Sequence, residues 1–346
     1  MSDTPIRVGI VGAGNNTRTR HIPGLKAIPG VEIVSVCNRS RESSQRAAKE
    51  FGIPRVYDNW LELVESDEVN AIVIGTWPYM HCPVTLAALE SDKHVLCEAR
   101  MAMNAEEAHA MLEASVERPH LATQIVPAPQ SLKVDAYVQE LIAQGFLGEP
   151  LVAEMRISDG AFPDPLAPLH WRQDRALSGY NTLQMGIYYE ILMRWLGPAV
   201  KVTALTKVSV KRRRDESGLL RAVEAPDYVN ALCDLACGAQ ASLTFTSVTG
   251  LCPGNSAWLY GTEGTLRVDF PSQTLWGGVR GDKELKQMPA PASKVGGWRV
   301  EQEFVNAIRG LEKVTRTSFQ DGVRYMEFTE AVIRSAQSGQ AIALPL

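Results

Sequence analysis

A glycine-containing turn near the start of the chain has the residue types that bind a dinucleotide. The apolar segment Ile6–Val11 runs into Gly12 and Gly14, and residues 15–25 have the character of a helix start. Such a strand–turn–helix segment lets backbone N–H groups approach a pyrophosphate at the helix N-terminus. A purely structural turn is the alternative, because a short glycine pattern is a weak signal. We predict cofactor contacts from Gly12, Gly14, Asn15, Asn16 and Thr17.

The residues after the second apolar strand bear on which nucleotide binds. An acidic side chain at this position would hydrogen-bond the ribose hydroxyls of NAD and repel a 2′-phosphate. This chain has Asn38-Arg39-Ser40-Arg41 instead, and two guanidinium groups with a hydroxyl suit a phosphate. We therefore predict cofactor contacts from Asn38, Arg39 and Ser40, and a preference for NADP over NAD. Alternatively, Arg39 only stacks on adenine and serves both cofactors equally.

The elements around this turn predict a doubly wound parallel sheet. Buried-strand patterns at residues 31–37, 71–75, 94–97 and 121–126 alternate with helical segments. After Pro127 the pattern changes to successive strands with few helices between them, which predicts a mostly antiparallel sheet. We therefore expect two domains, covering residues 1–125 and 126–346.

Composition argues against several classes of partner. The 346 residues carry 35 Lys and Arg against 39 Asp and Glu, a net charge of -4, so nucleic acid is not expected. The six cysteines are scattered, with no C-x-x-C pair and no histidines at ligand spacing, which indicates reduced thiols and no metal site. The sequence shows no signal-peptide pattern and no apolar run of membrane-spanning length. We expect a cytoplasmic protein without a membrane partner.

Several residue strings resemble the Gfo/Idh/MocA family of oxidoreductases, and the resemblance covers nearly the whole chain. The strings are Gly12-Ala13-Gly14, Arg20-His21-Ile22-Pro23-Gly24-Leu25, Thr76-Trp77-Pro78-Tyr79-Met80-His81, His94-Val95-Leu96-Cys97-Glu98, Trp171-Arg172-Gln173-Asp174 and Arg194-Trp195-Leu196-Gly197. The resemblance implies an N-terminal Rossmann domain and a C-terminal α+β domain with a large open sheet, through which homodimers or homotetramers form. It also implies NAD(P)-dependent hydride transfer to or from a small polyhydroxylated, inositol-like or ring-diol substrate.

The catalytic positions depart from the family pattern. The family reads Glu-Lys-Pro where this chain has Glu98-Ala99-Arg100, and the family lysine lowers the pKa of the proton-transferring group. The family Asp and His correspond to Gln184 and Tyr188, which their spacing of four places on one helical face. Some family members use a tyrosine here as acid and base, so Tyr188 is the predicted proton-transferring group. Half-buried aromatic packing is the alternative, because a tyrosine with a pKa of about 10 needs a cation to act as a base.

Other polar residues have subsidiary predicted roles. Gln184 only hydrogen-bonds, and His170 is the next candidate for acid–base chemistry. Near the cofactor, Glu98 is predicted to contact ribose, and His81 either contacts the cofactor or serves near a helix N-cap. The resemblance adds two cofactor contacts, Thr76 and Trp77. The predicted substrate contacts are Arg100, Arg172, Tyr180 and Asn181, of which the last two are alternatively plain loop residues.

Two functions therefore stay open. The first is an NAD(P)-dependent oxidoreductase. The second keeps the fold and the cofactor, but is either a non-redox enzyme with bound NAD(P) or a sensor of nucleotide or sugar. The absence of the family lysine, Asp and His is the reason for keeping the second function.

Overall fold

The computed structural model describes residues 5–346, which form two compact units. The first unit comprises the described residues up to Pro127 together with Arg299–Met326, and the second comprises Ala128–Trp298 and Glu327–Leu346. The expected division at residue 125 assigned every later residue to the second domain. In the structure, Arg299–Met326 belongs to the first unit instead. There the Thr317 carbonyl accepts the Ile125 N–H at 3.0 Å.

The described part of the first unit is built on a six-stranded parallel sheet. Its strands are β1 (Ile6–Val11), β2 (Val31–Cys37), β3 (Arg55–Val56), β4 (Ala71–Ile74), β5 (His94–Cys97) and β6 (Thr123–Ile125). They lie in the order β3-β2-β1-β4-β5-β6, and each pair is parallel. The strand order reverses between β1 and β4, so their carboxyl ends border the crevice in which doubly wound sheets bind ligands. The predicted doubly wound sheet is confirmed.

Helices connect these strands. They are α1 (Ile22–Lys26), α2 (Arg41–Phe51), α3 (Trp60–Glu65), α4 (His81–Glu90) and α5 (Ala105–Val116). A π-helical turn, Thr17–His21, leads directly into α1. Helix α2 begins directly after Ser40, whose hydroxyl accepts the Ser43 N–H at 3.3 Å and so caps the helix. It ends at Gly52, whose left-handed backbone, with a φ of 63°, terminates the helix.

The second unit contains a large open sheet and a separate hairpin. Its helices are α6 (Asp135–Ala143), α7 (Arg175–Ser178) and α8 (Met185–Leu196). Its strands are β7 (Pro150–Ser158), β8 (Ala199–Lys207), β9 (Arg212–Arg214), β10 (Leu220–Ala222), β11 (Tyr228–Leu235), β12 (Gln240–Thr246), β13 (Ser256–Gly261), β14 (Gly264–Asp269), β15 (Thr274–Val279), β16 (Lys286–Gln287) and β17 (Ile342–Ala343).

The large sheet has the order β16-β15-β14-β13-β7-β12-β11-β8-β17, and β9 pairs with β10 alone. Strand β7 is parallel to β12, whereas the other paired strands are antiparallel. The predicted large, mostly antiparallel sheet is therefore confirmed. The sequence does not predict β15, because Gly277 and Gly278 interrupt its alternating pattern of side chains.

The last helices are α9 (Val300–Ile308) and α10 (Phe319–Ser338), and the second of these is divided between the units at Met326. Within the second unit, α8 is fixed by Tyr189, whose ring stacks on Phe328 of α10 with centroids 3.6 Å apart. The Tyr189 hydroxyl also accepts the Ala199 N–H at 2.8 Å. No helix among residues 5–346 has the length and apolar composition needed to cross a bilayer.

Candidate active site

The glycine turn lies at the carboxyl end of β1, against the turn that follows β4. Gly12 has a φ of +87°, and a Cβ on it would lie 2.7 Å from the backbone nitrogen of Thr76. A Cβ on Gly14 would lie 2.9 Å from the carbonyl oxygen of Gly75. Both positions therefore need glycine for the two turns to approach one another. The close approach leaves a crevice wall of bare backbone, which suits a pyrophosphate.

Asn38 holds this turn in shape. Its Oδ1 accepts the Ala13 N–H at 2.7 Å, and its Nδ2 donates to the Ser43 carbonyl at 3.0 Å. The amide thereby joins the glycine turn to the first turn of α2. We predicted a direct cofactor contact from Asn38. The structure gives the amide a bracing role, and the cofactor contact stays a prediction.

Two threonine hydroxyls beside these turns are buried without a hydrogen-bond partner among the described residues. They belong to Thr17, in the π-helical turn, and to Thr76, directly after Gly75. A buried hydroxyl without a partner is costly, so an orphan in a binding crevice points to a ligand. Asn15 is exposed, and its carbonyl accepts the Thr19 hydroxyl at 2.8 Å. The glycine turn and the half-buried Thr76 thus fit a dinucleotide.

Glu98 follows β5 and belongs to a buried hydrogen-bond network. Its carboxylate accepts hydrogen bonds from Asn16 Nδ2 and from the Ala99 N–H, the latter at 3.1 Å. His21 Nε2 lies 3.0 Å from Glu98 Oε1, and His21 Nδ1 lies 2.6 Å from Glu301 Oε1. The predicted ribose contact from Glu98 therefore competes with three internal partners. Asn16 likewise turns toward Glu98 instead of lying open in the crevice.

Charge stabilises this network. Burial alone would lower the pKa of His21, but the hydrogen bonds and charges of Glu301 and Glu98 raise it to about 9. Burial would raise the pKa of Glu98, but the hydrogen bond and charge of His21 lower it. The ring is therefore an imidazolium at neutral pH, held between carboxylates.

The π-helical turn explains how one carboxylate reaches two side chains. Asn16 and His21 are five residues apart, and a π turn, with its i→i+5 hydrogen bonds, brings positions five apart to the same side. In a regular α-helix, residues three or four apart share a face instead. The irregular turn thus sets both side chains against Glu98, at the end of the strand beside β4.

The polar residues in the segment after β2 have different partners. The Arg39 guanidinium lies over the ring of Trp77, 5.4 Å from its centroid. Ser40 is occupied as the N-cap of α2, and Arg41 forms an exposed ion pair with Asp58. Arg39 is therefore the arginine best placed to meet a nucleotide, while Ser40 has a structural task.

His81 is a structural residue. It is buried, with Nδ1 2.8 Å from the Arg100 carbonyl and Nε2 3.0 Å from the Thr76 carbonyl. Burial lowers its pKa, although these carbonyl contacts oppose the effect. The prediction that His81 contacts the cofactor is corrected, because both ring nitrogens are turned to the backbone. Arg100, predicted to contact substrate, is itself buried.

Tyr188 lies on α8 in the second unit and is buried. Its ring meets Phe270 edge on, with centroids 5.0 Å apart. Burial raises the pKa of Tyr188, the neighbouring Asn255 side chain opposes this, and the negative charge of Asp159 adds to it. Neither of these two neighbours is a cation, whereas the sequence led us to look for one.

The segment before α8 corrects one prediction. Gln184 precedes the helix with a left-handed φ of 59° and is exposed, so it does not share a helical face with Tyr188. Asn181 is fully buried and donates from Nδ2 to the Ser178 carbonyl at 2.8 Å, and its contact with substrate stays a prediction. Tyr180 lies beneath the Arg175 guanidinium, whose Cζ is 4.4 Å from the ring centroid.

His170 and Arg172 flank Trp171 on an exposed segment. His170 Nδ1 accepts the Arg172 N–H at 3.2 Å and caps a short 3-10 turn. Burial and the charge of Arg172 lower the pKa of His170, so its ring is neutral at neutral pH. The Arg172 guanidinium stacks on Trp171 at 4.2 Å. Acid–base action by His170 and substrate binding by Arg172 stay predictions.

Sequence reasoning missed two residues of the network around Glu98: His21 and Glu301. His21 stood in a string that resembled the family, and its spacing of five from Asn16 was the available signal. Glu301 carried no such signal, because it lies 280 residues from His21. In the described part of the chain, no group of three or more His, Cys, Asp or Glu side chains is arranged to hold a metal.

Comparison with known proteins connects this geometry to a family. Residues 6–124 match an oxidoreductase family with an NAD-binding Rossmann fold, and residues 136–267 match the GFO/IDH/MocA C-terminal domain. The 1,5-anhydro-D-fructose reductase of Ensifer adhaerens is 27% identical over 97% of each chain. The trans-1,2-dihydrobenzene-1,2-diol dehydrogenase of Bos taurus is 26% identical over 84% of this chain and 81% of its own.

A solved structure extends the likeness to the fold of nearly the whole chain. Levoglucosan dehydrogenase, in complex with NADH and L-sorbose, matches with a TM-score of 0.87 and 20% identity over 98% of this chain and 99% of its own. Both domains of the family are thus present, in the order that the sequence strings indicated. The chain belongs to the Gfo/Idh/MocA family of oxidoreductases.

Proposed function

We propose that this chain is an oxidoreductase that interconverts a hydroxyl and a carbonyl group on a small polyhydroxylated or ring-diol substrate. The observation that carries the proposal is the Tyr188 phenol, which is buried on α8 and able to exchange a proton. The related reductase and dehydrogenases are named for an anhydro-sugar, a levoglucosan and a dihydrodiol, which supports this substrate class.

The residues of the chain then have separate tasks. A bound nicotinamide cofactor supplies the hydride acceptor or donor. In the first unit, Gly12 and Gly14 admit the pyrophosphate, and Thr76 offers its hydroxyl. In the oxidising direction Tyr188, as phenolate, takes the hydroxyl proton while the carbon loses hydride. In the reducing direction the phenol returns the proton to the carbonyl oxygen.

We also propose a preference for NADP(H). The chain has no acidic residue in the segment after β2, and Arg39 there carries a guanidinium group suited to a 2′-phosphate. NAD is the alternative, because a guanidinium that stacks on adenine serves both nucleotides alike.

A homodimer or homotetramer is proposed from the family resemblance and from the open sheet of the second unit. Leu205 on β8 and Leu232 on β11 are 76% and 56% exposed, although their strand neighbours Ala204 and Cys233 are buried. Replacing both leucines with glutamate should reduce the mass measured by light scattering if this face joins subunits. An unchanged mass would remove the face from the proposal. The cytoplasmic location stays a prediction.

The test of the proposed function is a search for nicotinamide turnover. The purified protein is mixed with each oxidised cofactor and a panel of levoglucosan, anhydro-sugars, inositols and ring diols, and with each reduced cofactor and the matching ketones. An absorbance change at the reduced-nicotinamide band that is lost in Tyr188→Phe supports the proposal. Tight cofactor binding with no change on any substrate favours the second function, a non-redox enzyme or sensor. Ala99, at the family's lysine position, is the observation that keeps this second function open.

A further inference from the structure

His21 is fully buried between two carboxylates that come from distant parts of the first unit. Its Nε2 lies 3.0 Å from Glu98 Oε1, and its Nδ1 lies 2.6 Å from Glu301 Oε1. Glu98 follows β5, and Glu301 lies in the first turn of α9. Gly24 on α1 makes room for the second carboxylate, because a Cβ there would lie 2.9 Å from Glu301 Oε2. The ring and both carboxylates are therefore held by packing as well as by charge.

The two contacts determine the charge of the His21 ring. A neutral imidazole donates from one nitrogen, and its other nitrogen would present a lone pair to a carboxylate oxygen. Both ring nitrogens face carboxylate oxygens within hydrogen-bond distance, so both act as donors and the ring is an imidazolium. Two carboxylates and one imidazolium leave this cluster with a single negative charge. Loss of the ring proton would double that charge.

The cluster adjoins the glycine turn that fits a pyrophosphate. Glu98 Oε1, which faces His21, also accepts a hydrogen bond from Asn16 on that turn. Thr17, the next residue, begins the π-helical turn that ends at His21. The Thr17 hydroxyl packs against Gly75, where an added Cβ would overlap it. The ring is thereby connected both to the turn after β1 and, through Thr17, to the turn after β4.

We propose that His21 is a positioning residue for the nicotinamide cofactor, because its ring joins Glu98 and Glu301 to the glycine turn and offsets one of their two charges beside the pyrophosphate site. The proposal rests on the cofactor of the proposed function and uses none of its chemistry. Deprotonation of the ring, or its replacement by a neutral side chain, leaves two buried carboxylates near an anionic ligand. Cofactor affinity should fall in either case. Glu98 and Glu301, the charged groups that face the ring, should set the pH at which it falls.

The test compares the dissociation constants of NADPH and NADH, measured by fluorescence titration from about pH 7 to about pH 10 in protein without substrate. Wild-type affinity for both should fall by about 5- to 150-fold, the usual range of coupling between two sites, as pH rises through about 9. His21→Gln should bind in neutral solution as weakly as wild type binds in alkaline solution, with no dependence on pH. His120→Gln, at a surface pair with Asp92, is the control and should match wild type.

A charge-restoring variant separates electrostatics from a general loss of structure. Combining His21→Gln with Glu301→Gln removes one charge of each sign, so it should recover most of the affinity that His21→Gln loses. Glu301→Gln alone keeps the ring but removes one of the carboxylates that raise its pKa, so the fall in affinity should move to lower pH.

NMR of wild type supplies a readout that holds even where His21→Gln does not fold. Binding and protonation are reciprocal, so bound NADPH should raise the titration midpoint of His21 by the logarithm of the affinity ratio. A wild-type affinity that is constant through this pH range, or a folded His21→Gln protein with wild-type affinity in neutral solution, overturns the proposal. The expected pH dependence in a protein that turns over no substrate supports the proposal and counts against the proposed function instead. A protein that binds neither cofactor overturns both.

Discussion

The guanidinium of Arg39 lies over the indole of Trp77, with Cζ 5.4 Å from the ring centroid. Arg39 follows β2 and Trp77 follows β4, the two strands that flank β1. Arg41, two residues further on, is paired with Asp58. The structure therefore separates two arginines that the sequence presents as equivalent, and this separation can be tested.

Arg39→Ala should weaken NADPH binding by roughly 10- to 150-fold, because a charge-assisted hydrogen bond contributes about 1.5–3 kcal/mol. NADH binding should change much less. Arg41→Ala is the matched control and should leave both affinities near those of wild type. The measurement is the dissociation constant of each reduced cofactor by fluorescence titration. Equal losses for NADPH and NADH in Arg39→Ala would show that the arginine stacks on adenine without reading a phosphate.

Gly14→Ala should impair both the turn and nucleotide binding. The added Cβ would lie 2.9 Å from the Gly75 carbonyl oxygen, and overpacking of this kind typically costs about 1–3 kcal/mol. We expect cofactor affinity to fall by about 5- to 150-fold, with circular dichroism near that of wild type. Gly297→Ala is the control, because nothing lies within 4 Å of its added Cβ. A folded Gly14→Ala protein with wild-type affinity would separate the glycine turn from the cofactor.

His21 should make stability depend on pH. Its pKa of about 9 in the folded protein lies above the ordinary value of 6.5, so folding favours the protonated ring. This contribution, on the order of 3 kcal/mol, is fully present below pH 6.5 and is lost as pH rises through about 9. His21→Gln should therefore destabilise the protein most in mildly acidic solution and least in alkaline solution.

Urea unfolding of wild type and His21→Gln across that pH range measures the difference. His120→Gln is the control, because His120 pairs with Asp92 at 3.4 Å on the surface, where such pairs contribute little. A His21→Gln effect that does not vary with pH would mean that the ring is neutral in the folded protein.

Tyr188→Phe should lower kcat by about 10²–10⁴-fold, the usual contribution of a positioned acid or base, with cofactor affinity little changed. Because the pKa of Tyr188 is raised, oxidation by wild type should accelerate as pH rises above neutral. Ala99→Lys should move this optimum downward. Tyr189→Phe, next along α8, removes a buried hydrogen bond and should cost about 1 kcal/mol of stability without a comparable loss of kcat. Wild-type turnover by Tyr188→Phe would identify the phenol as packing.

Regular secondary structure in this fold could be predicted from the sequence. Buried-strand patterns predicted β2 and β5 at their observed bounds. These elements are specified locally, by residues that prefer the same state as the finished structure. The crevice beside β1 was predictable for the same reason, since its glycines lie next to a strong strand.

The side-chain geometry of the candidate site was harder to predict from the sequence. Leu183 and Gln184 both adopt left-handed backbone, which neither residue type signals, so the helix begins after Gln184 and turns that side chain away from Tyr188. His81 looked like a ligand contact because the sequence shows a polar residue and not the carbonyls around it. The Tyr188 ring meets Phe270 only because elements far apart in the chain come together, and a single sequence does not show that contact.

Because Arg299–Met326 belongs to the first unit, the order in which the chain is synthesised limits when that unit can fold. His21 and Glu98 leave the ribosome early, whereas Glu301 leaves it only after strands β7 to β16 of the second unit have been made. A nascent chain that ends before α9 therefore lacks the second carboxylate for His21 and the Thr317 carbonyl for the Ile125 N–H. The first unit, although most of it is encoded first, cannot finish folding until translation is nearly complete. The second unit therefore folds either before the first unit is complete or after it.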